Sequence, residues 1–270
     1  MAQQARSRHI TPSCMRSRMA KITDKFNRLT PWPQVPEGNL IAVADAMIEY
    51  INGMPHTIFF VLLREISSKK AVIMPIYVVI GEGERLRGWK AAFALIPDDV
   101  RKRIKVMVCD GINALKIIAI EEGWILQRCH FHLRARIVHN CSPGRFGKRP
   151  ELAKNILKLT EIILTNEDEK IISYALANLS IIKQNITARL FRTTLSGFIK
   201  HYEDFRAYLR YPEYHIPTTS NSAEYLIGQI RDLQYRARGF SSLKSLSAWI
   251  EAYCKFTKTI TCNGKIYTPN

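Results

Sequence analysis

The sequence lacks long apolar runs, and no stretch approaches the roughly 20 consecutive apolar residues that a transmembrane helix needs. It also lacks a secretory signal, and its basic N-terminus has no sustained apolar moment of the kind that targeting peptides carry. None of the six cysteines forms a Cys-x-x-Cys pair, which argues against a zinc ribbon and a thioredoxin-type redox site. We therefore expect free thiols in a reducing cytoplasm and no membrane partner.

Acidic residues are scarce. The chain has 23 Asp and Glu against 40 Lys and Arg, which gives a net charge of +17 and a pI near 9.8. This excess points to a polyanionic partner, and nucleic acid is favoured over a membrane because the basic residues are interleaved with globular periodicity. The alternative is a basic protein without such a partner, but residues 128–149 argue against it because they contain no acid. Their basic side chains are Arg128, Arg134, Arg136, Arg145, Lys148 and Arg149.

The hydrophobic pattern predicts strands and helices in alternation. The predicted strands are 39–48, 57–63, 71–80, 105–109 and 124–127, and the predicted helices of this region are 84–95 and 112–122. Asn52-Gly53 offers a tight reversal, so the first three strands form an antiparallel meander. Pro75 lies inside the third strand and cannot donate to a ladder, which places that strand at a sheet edge.

The order β-β-β-α-β-α-β predicts an α/β protein with the ribonuclease H-like fold, a mixed five-stranded sheet whose first strand is central. Amphipathic spacing over about 150–215 predicts a helical insertion. We expect a basic tail or linker remnant at 1–37, a ribonuclease H-like domain at 38–250 and a C-terminal tail at 251–270.

Two carboxylates accompany apolar strands. Asp45 lies within the first strand, where aspartate is uncommon, and its alternative interpretation is an exposed residue on a half-wet strand. Asp110 ends the fourth strand and precedes Gly111, and its alternative interpretation is the cap of the following helix. Carboxylates at adjacent parallel strands could share one cation.

A third carboxylate, Glu224, lies one turn into a predicted helix that begins near Ser222. Asn221-x-x-Glu224 also matches a capping box, which is the alternative interpretation. Gly228 and Arg231 share the helix face of Glu224, where the glycine would allow close backbone approach and the arginine would meet a phosphate. Three hard oxygen ligands suit Mg²⁺ or Mn²⁺.

A Cys-x-x-His element, Cys129 to His132, could share one helix face and bind a soft metal. A structural zinc site needs four ligands, and no second pair has suitable spacing. We therefore favour a packed, hydrogen-bonded junction that also borders the active site.

These motifs occur together in one order. They are Asp45 on the first strand, Cys109-Asp110-Gly111 after the fourth, Gly123-Trp124 followed by Gln127-Arg128-Cys129-His130-Phe131-His132, Thr218-Thr219-Ser220-Asn221-Ser222-Ala223-Glu224, and Arg236-Ala237-Arg238-Gly239-Phe240. In combination they resemble the DDE transposases, and more narrowly the Mutator-like group and its bacterial insertion-sequence relatives. The resemblance covers about residues 38–250.

The resemblance implies two-metal DNA strand cleavage and strand transfer, with two Mg²⁺ or Mn²⁺ ions held by Asp45, Asp110 and Glu224. Cys129 and His132 would border that site. The implied partners are the element ends and target DNA, bound by a homodimer or larger assembly associated with the nucleoid. The expected DNA-binding residues are Arg128, Arg134, Arg136, Arg231, Arg236 and Arg238.

The family's usual N-terminal DNA-reading region is expected to be missing, because only about 36 residues precede the first strand. A ribonuclease H-like nuclease or resolvase is the enzyme alternative. An inactive transposase-derived DNA-binding protein is the non-enzyme alternative.

Overall fold

The computed structural model describes residues 11–81, 83–141, 150–237, 239–240 and 242–261. The chain divides into two compact units. The first comprises Met1–Met107, Ile112–Trp124 and Asn221–Asn270, and the second comprises Val108–Gly111 and Ile125–Ser220.

The first unit contains most of the strands. Its strands are β1 (Leu40–Ile51), β2 (Met54–Glu65), β3 (Lys70–Ile73), β4 (Tyr77–Ile80), the larger part of β5 (Ile104–Cys109) and β7 (Thr259–Thr261). Its helices are α1 (Pro12–Leu29), α2 (Leu86–Ala94), α3 (Asp98–Arg101), α4 (Asn113–Glu121), α10 (Asn221–Arg236) and α11 (Leu243–Thr257).

Strands β1 and β2 form the long hairpin that the sequence predicts. Asn52 and Gly53 both have positive φ, at 52° and 78°, which is the backbone conformation of a two-residue turn that matches strand twist. The register pairs Leu40 with Glu65 and Asp45 with Phe60. Alternation along β1 is weak because Leu40 to Ala44 are all buried, as expected for a strand covered on both faces.

The predicted third strand differs from the structure in two respects. It divides at Pro75 into β3 and β4, which both pair with β2. Strand β3 is not a sheet edge, because β7 pairs with it in an antiparallel register that joins Ala71 to Ile260. The proline interrupts the ladder, and the covering strand comes from a segment that the sequence assigns to a C-terminal tail.

The α/β class is confirmed, and the sheet has seven strands among the described residues where the sequence predicts five. The strand order is β6-β5-β1-β2-β3-β7, where β6 is Ile125–Arg128 and β4 also pairs with β2. The amide of Leu40 donates to the carbonyl of Arg103, so β1 and β5 begin at the same edge of the sheet. With the antiparallel β1–β2 hairpin this makes a mixed sheet, and its order is compatible with a ribonuclease H-like fold.

Residues expected to form a basic tail include helix α1, which packs against α11. The side chain of Asn27 donates from Nδ2 to the carbonyl of Ala248 at 2.8 Å. Lys255 is 5% exposed, donates to the carbonyl of Asn27, and lies over the ring of Trp32. Contacts between residues so distant in sequence cannot be predicted from the composition of residues 1–37.

The second unit is largely helical. Besides β6 and the end of β5, it contains α5 (His130–Asn140), α6 (Pro150–Thr165), α7 (Glu169–Gln184), α8 (Arg189–Lys200) and α9 (Ala207–Arg210), with 3₁₀ turns at Tyr202–Phe205 and Pro212–Tyr214. Helices α5 to α8 and the turn Tyr202–Phe205 bury one apolar cluster that includes Ile137, Ile163, Leu179, Leu195 and Phe205. The predicted insertion of about 150–215 lies within this unit. No helix in the described ranges combines the length and apolar character needed to cross a membrane.

Candidate functional site

Asp45 lies in the middle of β1, in the first unit, among side chains that are almost fully buried. Val43 and Ala44 are each 1% exposed, and its cross-strand neighbour Phe60 is 0% exposed. Its Oδ1 accepts a hydrogen bond from the amide of Ala46 at 2.8 Å. Asp45 is therefore a half-buried carboxylate within an apolar strand.

Glu224 lies on α10, which packs against β1 within the first unit. The helix begins at Asn221, so Glu224 is its fourth residue, one position beyond the acidic residue of a capping box. Gly228 is exposed, and a Cβ built on it would meet no atom within 4 Å. No part of the described chain lies close to this glycine, and its expected role in the approach of a bound partner stays a prediction.

Arg231 and Arg236, two of the expected DNA-binding residues, line an open cavity of about 710 Å³ at the far end of α10. Glu49 of β1 also lines it. The pKa of Glu49 is raised above its ordinary value, because burial outweighs the opposite effect of the nearby Arg231 guanidinium. The sequence pattern did not identify Glu49 as a residue of interest. Arg238, a further expected DNA-binding residue, lies outside the described residues.

Asp110 ends β5 in the second unit. The following helix, α4, has Ile112 at its N-cap and no side-chain capping bond, so Asp110 is not the cap. The Asp110 Oδ2 atom instead accepts a hydrogen bond from Nη2 of Arg136 at 2.9 Å, and the Asp110 side chain is only 13% exposed. Gly111 has a φ of 92°, a conformation that favours glycine and turns the chain directly after the carboxylate.

The thiol of Cys109, next to Asp110, is unreactive at physiological pH. Burial raises the pKa of Cys109 to about 12, so this thiol stays neutral at physiological pH. A thiol must lose its proton before it acts as a nucleophile or metal ligand.

The segment from Gln127 to His132 forms a buried, hydrogen-bonded junction in the second unit. The amide of Cys129 donates to the carbonyl of Cys109, and the Cys129 Sγ atom accepts from the amide of Ser220. Gln127 Nε2 donates to the carbonyl of Phe205, which His130 Nε2 also contacts at 2.7 Å. Because a carbonyl can only accept, His130 carries its proton on Nε2.

The expected DNA-binding arginines of this unit are paired internally. Arg128, which is 6% exposed, lies 3.2 Å from a carboxylate oxygen of Asp204. Arg134 pairs with Glu161, and Arg136 pairs with Asp110. These guanidinium groups are already matched by carboxylates, so they are poorer phosphate ligands than their sequence suggests.

Cys129 and His132 lie at the start of α5 in the second unit, where Cys129 is fully buried and occupies the N-cap position. Thiolate and imidazole ligands suit zinc better than magnesium. This pair therefore provides no specific evidence for Mg²⁺.

No protein-family model and no curated protein matches this chain.

Proposed function

We propose that the chain is a DDE-type DNA transposase with a ribonuclease H-like fold. The observation that carries the proposal is the setting of Asp110. It is a mostly buried carboxylate at the end of a sheet strand, and it does not serve the capping role that would otherwise explain an Asp before a helix. An acid placed there without a capping function suits metal-assisted phosphoryl transfer.

The two other acids support the same interpretation. Asp45 is half-buried within an apolar strand, and Glu224 does not occupy the position of a capping box. Carboxylates in such surroundings are costly unless a cation compensates them. In this structure Arg136 supplies that compensation at Asp110, and the arginine side chain is about half-exposed.

The donor chemistry of these acids fits Mg²⁺ or Mn²⁺, which prefer carboxylate oxygens. Asp45, Asp110 and Glu224 would hold the two ions. When bound, the ions lower the pKa of a water molecule and stabilise the leaving oxygen. The chain's own part is to present carboxylates on a strand, a strand end and a helix, and to keep the Cys109 thiol neutral beside Asp110.

The test replaces Asp110 by Asn, which keeps the shape and removes one charge. We expect Mg²⁺-dependent cleavage of a labelled DNA duplex to fall to background. DNA binding should stay the same or tighten slightly, because a carboxylate that repels phosphate is lost. Loss of the partly exposed pair with Arg136 should cost at most about 1 kcal/mol of unfolding free energy.

The matched control is Asp99→Asn, an exposed acid in α3. If Asp110→Asn and Asp99→Asn both cleave like the unaltered chain, Asp110 has no catalytic role. A pre-cleaved DNA end tests the alternatives. Joining to target DNA supports a transposase, cleavage without joining indicates a nuclease, and binding alone indicates an inactive derivative.

A further inference from the structure

The helical unit contains a long segment without acidic residues. Residues 170–202 contain Lys170, Lys183, Arg189, Arg192 and Lys200 and no Asp or Glu. They span α7 and α8, which follow in sequence the 128–149 segment that the sequence favours for DNA contact. An uncompensated charge of this kind marks a surface that attracts polyanions.

Helix α8 is amphipathic, with an apolar face and a basic face. Phe191, Leu195 and Phe198 are 2% exposed or less and face the core of the unit. Arg189, Arg192 and Ser196 follow helical spacing on the other side and are exposed. The apolar face fixes the helix, so the basic face is presented in a defined orientation.

A groove of about 510 Å³ lies where α7 ends and α8 begins. Its lining residues are Lys183, Gln184, Arg189, Arg192, Thr193 and Ser196. Thr193 donates its hydroxyl to the carbonyl of Arg189. The donors that face an anion are then two guanidiniums, one ammonium, one amide and one hydroxyl, with no carboxylate among them.

The cations of this groove differ from the arginines of α5 and β6. Lys183, Arg189 and Arg192 have no acidic partner within the described residues. Arg128, Arg134 and Arg136 each have one. A cation without a partner can bind a phosphate without first breaking an internal ion pair.

The start of α8 adds to this preference. Its N-cap is Ala188, which has no side-chain acceptor for the first amides of the helix. The helix dipole places partial positive charge at the same end, where phosphates are commonly bound. The twelve residues of α8 make this a full helix terminus.

We propose that the α7–α8 groove binds the phosphate backbone of duplex DNA. None of its lining residues is aromatic or aliphatic, so it offers no stacking platform for a base and no apolar contact for a lipid. Phosphate contacts of this kind give affinity and position without reading sequence. The inference rests on the proposed function only for the identity of the polyanion.

The test compares DNA binding of the full chain with that of the triple variant Lys183→Gln, Arg189→Gln, Arg192→Gln. Fluorescence anisotropy of a labelled duplex is recorded across a series of salt concentrations. Loss of three phosphate contacts should reduce the slope of log K against log salt by about 2.7, since each contact contributes about 0.9. The fall in affinity between about 50 and 200 mM salt should then be about 40-fold smaller.

The charge-matched control is Lys69→Gln, Lys70→Gln, Lys158→Gln, which removes three exposed cations that lie outside the acid-free segment. A slope change in the groove variant alone supports the proposal. Equal changes in both triples would show a net-charge effect and overturn it. An unchanged groove variant in a chain that binds and cleaves DNA overturns the groove and leaves the proposed function intact. A chain that binds no DNA overturns both, and binding of polyglutamate in place of DNA would assign the groove to an acidic protein.

Discussion

Gly88 of α2 tests the packing of the first unit with a single added carbon. A Cβ at this position would lie 2.5 Å from Cζ of Phe59 and 2.9 Å from its Cε2. Phe59 is 1% exposed and meets the edge of Trp89 at a ring separation of 4.9 Å. The ring cannot retreat without displacing a second buried aromatic side chain.

Two effects of opposite sign decide the outcome of Gly88→Ala. Alanine stabilises a helix interior by about 1 kcal/mol relative to glycine. Overpacking a well-filled core costs about 1–3 kcal/mol, and contacts below 3 Å to a fixed ring place this site toward the upper end. We expect a net loss of about 1–2 kcal/mol. In a domain of this size that corresponds to a Tm lower by about 2–8 °C.

The matched control is Gly228→Ala on α10 of the same unit, where an added Cβ meets nothing within 4 Å. That variant should gain up to about 1 kcal/mol from helix propensity alone. Thermal melts and urea titrations of both variants measure the difference. A Gly88→Ala variant that melts at or above the unaltered chain would refute the packing of α2 on β2.

Two further predictions concern the buried junction of the second unit. Burial lowers the pKa of His130, so the folded state keeps it neutral while the unfolded chain takes up a proton below about pH 6.5. Stability should therefore be complete above that pH and fall as pH decreases toward the lowered value. The urea midpoint of His130→Asn should vary less between about pH 7 and 5, and parallel profiles for the two proteins would contradict this. The purified chain should contain less than one zinc per molecule, because a structural zinc takes four ligands and the sequence has no second pair with suitable spacing beside Cys129 and His132. Elemental analysis showing stoichiometric zinc that Cys129→Ser removes would prove this wrong.

The parts of the fold that were predictable are those encoded by neighbouring residues. Apolar runs locate β1, β2 and β5, the Asn52-Gly53 pair locates the hairpin turn, and Pro75 locates a break in pairing. Strand β7 was not predictable because three residues, Thr-Ile-Thr, carry no periodic signal. Helix α1 was missed because its polar composition resembles a tail, whereas its packing depends on the distant α11.

The candidate site shows the same division. The sequence identifies Asp45, Asp110 and Glu224 as carboxylates in unusual positions. The structure then shows that Asp110 does not cap the following helix, whose N-cap is Ile112. The acid-free run from 128 suggests free cations, but their partners Glu161 and Asp204 lie far along the chain. Ion pairing depends on tertiary structure. A count of charges along the sequence therefore cannot show which basic side chains already have an acidic partner.

The pairing of β3 with β7 also bears on how the chain folds. It joins residues near 71 to residues near 260. Closing so long a loop costs more conformational entropy than forming the local β1–β2 hairpin, so we expect the hairpin to form first. Until β7 docks, β3 presents unpaired backbone N–H and C=O groups along one side. A chain in which β7 has come undone would therefore have an open strand edge through which two copies can pair, so the docking of β7 protects the sheet against aggregation.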